Sequence, residues 1–440
     1  MERLPSLRRS LPSIGEGGFG AQEGHAKAPL RVLVYGIHYA PEAKGPGRYT
    51  GELCAWLARR GHEVRAITAP PHYPDWRVQA GYAAYAYRRE QLDGVCVYRC
   101  PLWVPREPSA LRRFAHRLSF AVSSVPAVAM QWVWRPHVVM AMGPALLAWP
   151  LARLTAARTW LHVHDCGRDA ADGGARKRAA LAAMAQRVLM RSFDRVSANS
   201  ESMLLQLSGR GVAAGRCVLF PNWVDCTQIY PLPGPSRLRR EWSIPSSACV
   251  ALYSGEMGQK DALECVIDAA RQLTREPRLI FLLCGSGAAR APLQAATRGL
   301  HNVRWLPAQP PEKLNALLNV ADVHLLPQAA ASASAALPPE LPALLASGRP
   351  MVAMGATDTA LAHIAHSCGV VAAPQSGEVA NALRQLLEHD IARRQLGAAA
   401  RRYAEQHFHK DRVLGRFEEQ LVSCVIERSE RRVPPEVRSA

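Results

Sequence analysis

The chain has no run of about 18 consecutive apolar residues, so no ordinary membrane-crossing helix is expected. Its start, MERLPSLRRSLPSIGEGGFGAQEGHAKAP, carries charge but no apolar core, and does not read as a secretory signal. No CxxC pair occurs among the 11 cysteines. Cys96 and Cys100 stand in CVYRC without a matching second pair, which argues against a structural zinc site and for free thiols in a reducing compartment. Acidic residues are in the minority: 36 Asp and Glu against 54 Lys and Arg, a formal net charge of +18. That balance points to anionic partners: nucleic acid, nucleotide diphosphates or an anionic membrane face. At 440 residues and 48% hydrophobic content, wholesale disorder is excluded and two or three domains are expected.

What is present is a repeated alternation. RVLVYGI (31–37), HEVRAITAP (62–70), VCVYRC (95–100), HVVMAMGP (137–144), TWLHVHD (159–165), RVSANS (195–200) and CVLFPN (217–222) read as short buried strands. ELCAWLARRG (52–61) has helical spacing, with Leu53, Trp56 and Leu57 on one face. A second series follows: CVALYSGEMGQ from 249, LIFLLCGSG (279–287), then VRWLP, VHLLP and PMVAM, with long helices between about 378 and 427. Between the two series, residues 225–247 carry Pro231, Pro233, Pro235 and Pro245 and break the rhythm. The expected architecture is α/β, with two doubly wound Rossmann-like domains facing a central cleft. The divisions are a flexible extension over 1–28, a first domain over 29–224, a hinge over 225–247, a second domain over 248–408, and a terminal helix and tail over 409–440.

Three glycine loops follow strands. Gly45, Gly47 and Gly51 lie in KGPGRYTGE, Gly255 and Gly258 in SGEMGQK, and Gly285 and Gly287 in CGSGAAR. Glycine lets a backbone approach a ligand closely, and a helix start offers N–H groups to an anion. The first spacing is not GxGxxG, which makes a dinucleotide reading weak; a tight turn without a ligand stands beside the phosphate reading. Lys260 follows the second loop and suits a diphosphate contact. HVHD (162–165) puts His162 and His164 on one side of a strand end with Asp165 opening the loop, an arrangement for substrate contact or proton management. A buried, satisfied histidine is an equal alternative for either ring taken alone, and no third ligand completes a zinc site. Residues 103–134 interleave Arg106, Arg112, Arg113 and Arg117 with aromatics and an apolar stretch broken by Pro126, the pattern of a segment resting on an anionic membrane. A core helix with a solvated basic end, or a single-strand nucleic-acid surface, would share those features, but no nucleic-acid module accompanies them.

Together these runs carry a resemblance. VYGIHYAPEAKGPGRYTGELCAWLARRGHEVRAITAPPHYPDW resembles the start of bacterial retaining glycosyltransferases of family 4 type with the two-domain GT-B fold. YRREQLDGVCVYRCPLWVPREPS, FDRVSANSESM, VLFPNWVD, YSGEMGQKDALE and LLASGRP are similar to the WcaI-like colanic acid branch, over roughly residues 30–425. The resemblance implies transfer from a nucleotide diphosphate sugar as co-substrate, with retained configuration and no metal or other cofactor. It implies a lipid-linked or polysaccharide-precursor acceptor of exopolysaccharide or O-antigen synthesis at the inner membrane face, a cytoplasmic or peripheral location there, and no nucleic-acid partner. Gly45 and Gly47 would then close on donor phosphates that Lys260, Gly255, Gly258, Gly285 and Gly287 approach from the second domain, with Arg106, Arg112, Arg113 and Arg117 on the acceptor side. His164, Asp165 and Lys260 are the catalytic candidates. The chain departs from the pattern at Cys166, Gly167 and Arg168, and at Glu340, where the branch carries a lysine on the donor side; a carboxylate there repels a diphosphate. The acidic pair common in the wider superfamily is replaced by Ala335 and Ala343. The competing expectations are a catalytically weakened relative serving as a membrane scaffold, and a nucleotide-sugar epimerase.

Overall fold

The computed structural model describes residues 29–43, 45–107, 109–143, 156–164, 184, 187–258, 262–328 and 336–432. The amino-terminal extension read at 1–28 lies outside the described residues, as do Asp165 and Lys260.

The first sheet has eight strands: β1 (Arg31–Tyr35), β2 (Glu63–Thr68), β3 (Arg88–Leu92), β4 (Val95–Arg99), β5 (Val138–Met142), β6 (Arg158–Val163), β7 (Arg195–Ala198) and β8 (Cys217–Leu219). Their spatial order is β3-β4-β2-β1-β5-β6-β7-β8. All pairings are parallel except β3 with β4. The second sheet holds β9 (Cys249–Glu256), β10 (Leu279–Ser286), β11 (Val303–Leu306), β12 (Val323–Pro327), β13 (Met351–Met354) and β14 (Gly369–Ala372). It is parallel throughout, in the order β11-β10-β9-β12-β13-β14. In each sheet the strand order reverses once, between β1 and β5 and between β9 and β12, and a crevice opens at the carboxyl ends of such strands.

The helices used below are α1 (Gly45–Arg59), α2 (Ala110–Ser123), α3 (Val125–Trp134), α4 (Glu201–Gly209), α5 (Leu263–Gln272), α6 (Leu341–Ala346), α7 (Asp390–Tyr403) and α8 (Lys410–Arg432). No helix among the described residues is long and apolar enough to cross a membrane. All ten described cysteines are free thiols.

The strand cores follow the apolar runs; two elements do not. RREQL forms β3, an exposed antiparallel edge that reaches β4 through the Asp93-Gly94 turn, where both residues have positive φ. β14 is only GVVA, too short to stand out from the helix before it. A further correction concerns the first glycine stretch: Gly45, Gly47 and Gly51 lie inside α1, which begins seven residues before the expected helix. The glycines are required by packing. A Cβ on Gly45 would sit 2.7 Å from the Tyr73 ring, one on Gly47 2.7 Å from the Glu42 Cβ, and one on Gly51 2.6 Å from the Ala40 methyl.

The chain crosses between domains twice, and the two crossings touch. The Val224 amide donates to the Phe408 carbonyl (2.8 Å), and the Lys410 amide to the Val224 carbonyl (3.0 Å). The Pro-rich stretch after the first crossing includes a short helical turn, with Leu238 and Ile244 buried against the second sheet. After the second crossing, α8 returns to the first domain. Val413, Leu414, Phe417, Leu421 and Cys424 join Leu53, Leu57 and Trp160 in one core. Phe417 stacks on Phe220 with ring centroids 4.2 Å apart, and the buried Glu418 accepts from or pairs with His62 Nε2 at 3.0 Å.

Candidate functional site

The first wall of the cleft comes from loops at the carboxyl ends of β1, β2, β4 and β6. Its anchor is Glu42, whose side chain is fully buried. One carboxylate oxygen accepts the amides of His72 and Tyr73, each at 3.0 Å; the other meets His38 Nδ1 at 3.1 Å. Burial pushes the Glu42 carboxyl up, but the hydrogen bond and charge of His38 and the two amides outweigh it and hold the group below the usual carboxylate range.

Imidazoles gather around this anchor. The His38 ring stacks on His72 at 5.2 Å, and His72 meets His116 at 5.1 Å. His72 Nδ1–H donates to the Pro70 carbonyl (2.9 Å), and burial lowers its pKa to about 4. His116 comes from the inner face of α2; it bonds the Trp103 carbonyl at 2.7 Å, and burial lowers its pKa too. The H-x-H pair on β6 divides by role. His162 is buried and bonded to Ser197 Oγ at 3.0 Å, a core residue. His164 meets His162 edge-on at 4.5 Å, and burial, with His38 nearby, lowers its pKa to about 4. Its Nε2 is shielded from water and has no hydrogen-bond partner among the described residues. Burial thus disfavours the charged ring of His72, His116, His162 and His164, and among the described residues His164 keeps a ring nitrogen open.

The second wall is made of backbone. Gly285 (φ +154°) and Gly287 (φ +146°) let β10 pass against β9: a Cβ on Gly287 would lie 2.8 Å from the Met257 amide nitrogen. The Met257 amide donates to Ser286 O at 2.8 Å, and its carbonyl accepts the Ala289 amide at 3.0 Å. Gly255 and Gly258 border this crossing.

Three observations place the walls face to face. The Tyr49 hydroxyl donates to the Pro339 carbonyl at 3.0 Å. Asn199, at the carboxyl end of β7, donates to the Leu337 carbonyl at 3.4 Å, while its Oδ1 is buried without a partner among the described residues. Burial raises the Tyr73 pKa, and Glu256 of the second domain raises it further. Glu340 occupies the N-cap position of α6 without capping it through its side chain, and its charge reaches Tyr49.

Of the residues expected from the sequence, the structure brings His164, Gly45 and Gly47 to the first wall and Gly255, Gly258, Gly285 and Gly287 to the second, with Glu340 at the junction. Arg106, Arg112, Arg113 and Arg117 stand apart on the outer surface around α2, all exposed. His38, Glu42, His72, His116 and Asn199 escaped a sequence reading. HYAPE, PPHYP and SANSES held the signal: polar residues directly after buried strands.

Two Rossmann-like sheets whose switch points share a cleft define the GT-B class of glycosyltransferases. The chain matches the Glycosyl transferase 4-like domain over residues 44–223 and Glycosyl transferases group 1 over residues 236–403. It is 38% identical over 403 residues to the colanic acid biosynthesis glycosyl transferase WcaI of Escherichia coli (strain K12), covering 88% of this chain and 98% of that one. The chain belongs to this glycosyltransferase family and is a transferase. Among solved structures it is similar to sucrose-phosphate synthase from Thermosynechococcus elongatus (TM-score 0.71, 17% identity, covering 90% of this chain and 99% of that one). It is also similar to Anabaena HepE in complex with UDP and glucose (TM-score 0.66, 16% identity, covering 90% and 100%).

Proposed function

We propose that this glycosyltransferase moves a sugar from a nucleotide diphosphate sugar to a lipid-linked saccharide acceptor during assembly of a bacterial surface polysaccharide, with retained anomeric configuration and without a metal. The relative named for colanic acid biosynthesis supports the pathway class, and the UDP and glucose in HepE support the donor class. The observation that carries the reading is the open Nε2 of His164, neutral and dry at the carboxyl ends of the first sheet, opposite the glycine-built wall.

In this mechanism the nucleotide lies along the backbone at 255–258 and 285–287, where side chains are missing and the chain comes closest. The diphosphate meets this backbone wall, with Lys260 as the cation assigned to it. As the glycosidic bond breaks, negative charge builds on the leaving diphosphate, and these donors stabilise it. The acceptor oxygen attacks from the face the diphosphate leaves, and a phosphate oxygen takes its proton. His164 Nε2 hydrogen-bonds a donor sugar hydroxyl and orients the ring. His38, Glu42 and His72 place ligand atoms within 4.8 Å of one another. The Glu42 oxygens and His72 Nδ1 are already committed to hydrogen bonds, which favours a structural polar anchor over a resident cation.

Helix α2 supports a peripheral membrane position. Leu111, Phe114, Leu118 and Val122 form one outward stripe, continued by Val125, Met130, Trp132 and Val133 of α3, with Leu111 77% and Val133 89% exposed. Arg112, Arg113 and Arg117 flank the stripe, as on helices that lie in an anionic interface. The same helix carries His116 inward, so one element joins membrane face and acceptor basin.

The test is the thermal shift of the purified protein with a panel of nucleoside diphosphates and nucleotide sugars. A ligand at ~100 times its Kd stabilises by roughly 2.7 kcal/mol. A shift with one base series is expected. A flat panel on folded protein overturns the donor assignment and favours the weakened-scaffold reading, which rests on the carboxylate of Glu340.

A further inference from the structure

At the opposite end of the second sheet's strands, away from the cleft, a cavity of about 520 Å³ opens where β12 and β13 enter the sheet. Its lining includes Asp322, directly before β12, and Arg349 and Pro350, directly before β13; α7 closes it with Asp390, Arg393, Arg394 and Arg401. Strand polarity puts this site at the amino ends, while the nucleotide-facing backbone lies at the carboxyl ends.

The charges do not balance. Asp390 is engaged by Arg393 and by Arg394, the latter at 2.5 Å. Asp322 is engaged by Arg239 at 2.7 Å and by the Val250 amide at 2.8 Å. Arg401 is used up by Glu405 at 2.6 Å and by the carbonyls of Ile229, Ala346 and Cys226 at 2.7 to 3.0 Å. Arg349 is left over. Among the described residues it makes no hydrogen bond or ion pair, and its Nε is out of contact with water. Burial is the main influence against its charge; Asp322 attracts it, and Arg239 and Arg393 repel it. A half-buried guanidinium in this state is a donor set awaiting an acceptor, since leaving a buried charged group unpaired is costly.

We propose that this cavity is a second anion site, which binds a small dianionic phosphate, inorganic phosphate or a phosphomonoester, through Arg349 with Arg393 and Arg394 at its rim. Guanidinium forks suit phosphate oxygens, and the volume leaves room for a substituent. Pro231 forms part of the wall, and Arg401 ties the carbonyls of 226 and 229 to α6 beside it. An occupant would therefore brace the segment that follows the first domain crossing.

The test is a melting-temperature titration of the full chain with inorganic phosphate and, separately, glucose 6-phosphate, each against chloride at matched ionic strength. The wild type is expected to show saturable stabilisation by phosphate beyond chloride. Arg349→Gln should weaken the apparent affinity about tenfold or more, the loss of one charge-assisted contact, without lowering the unliganded melting temperature. Tighter binding of glucose 6-phosphate identifies a phosphomonoester site, and equal or weaker binding identifies inorganic phosphate. If Arg349→Gln does not fold, Arg349→Lys and Arg394→Gln serve, each expected to weaken the response. No stabilisation beyond chloride overturns the proposal; so does an undiminished phosphate response in the variants, which would place the anion elsewhere, as in the cleft.

Discussion

The two walls of the cleft are made of different material. The first domain presents side chains: a buried carboxylate, a group of histidines and an asparagine, positioned by loops after strands and, for His116, by α2. The second presents backbone, thinned at Gly255, Gly285 and Gly287 until β9 and β10 nearly touch. A backbone wall can recognise only what a class of ligands shares, and a side-chain wall can be recut for a particular one. The difference also sets how the ligand-facing parts fail: on the second wall an added methyl group closes the backbone surface, while on the first the chemistry of single side-chain atoms decides.

The largest effect is expected from Gly287→Ala. Its φ of +146° and the Met257 backbone leave no place for a Cβ, so the strand crossing must open. A loss of roughly 3 kcal/mol or more, as for a strained backbone combined with overpacking, should appear in denaturant unfolding. Wild-type stability would refute the backbone-wall account.

On the other wall, His164→Ala should change the melting temperature far less than Gly287→Ala and lower turnover by roughly 100-fold, as for the loss of one positioning hydrogen bond. Normal turnover would remove His164 from the site. The contrast between stability loss at Gly287 and activity loss at His164 is the sharpest form of the comparison.

The histidine basin makes a pH prediction. His72 and His164 have folded pKa values near 4, below the ordinary 6.5, because burial disfavours the charged ring. The unfolded chain therefore binds more protons between these values. Stability present above pH ~6.5 should drain away as pH falls toward ~4. Glu42, held below its ordinary value, adds a loss at the lower end. His72→Gln should flatten the slope between pH 6.5 and 4 in urea titrations. An unchanged slope would show that the ring does not carry it.

The smallest effect on the fold belongs to the outer surface. Replacing Arg112, Arg113 and Arg117 together by Gln should leave melting and cleft binding unchanged. It should weaken partition to anionic vesicles by up to about 1 kcal/mol per residue, an effect that added salt erases. Unchanged partition would confine these residues to a solvated helix face.

Strands buried on both faces announce themselves as apolar runs, which is why β1, β2 and β9 could be read directly from residues 31–35, 63–68 and 249–256. β3 could not, because an edge strand with RREQL on its surface has no apolar period to show. The start of α1 was hidden for a different reason. Three glycines in seven residues argue against a helix on propensity, and only the crowding of Tyr73, Glu42 and Ala40 against it accounts for them. For the site, His164 was visible as a polar residue at a strand end. The partnership of His38, Glu42, His72 and His116 was not, because it joins loops that are far apart in the chain and whose meeting depends on strand order. The unpaired state of Arg349 is likewise a property of its surroundings and leaves no trace in LLASGRP.

The return of α8 to the first domain has a consequence for how the molecule is made. Leu414, Phe417 and Leu421 finish a core whose other members are synthesised before residue 224. At 5–20 residues per second, about 200 residues of translation separate the two, roughly 10–40 s. Throughout that interval the nascent first domain shows the ribosome and its chaperones an open groove over Trp56, Trp160 and Phe220. A helix made after the second domain is the one that closes the first.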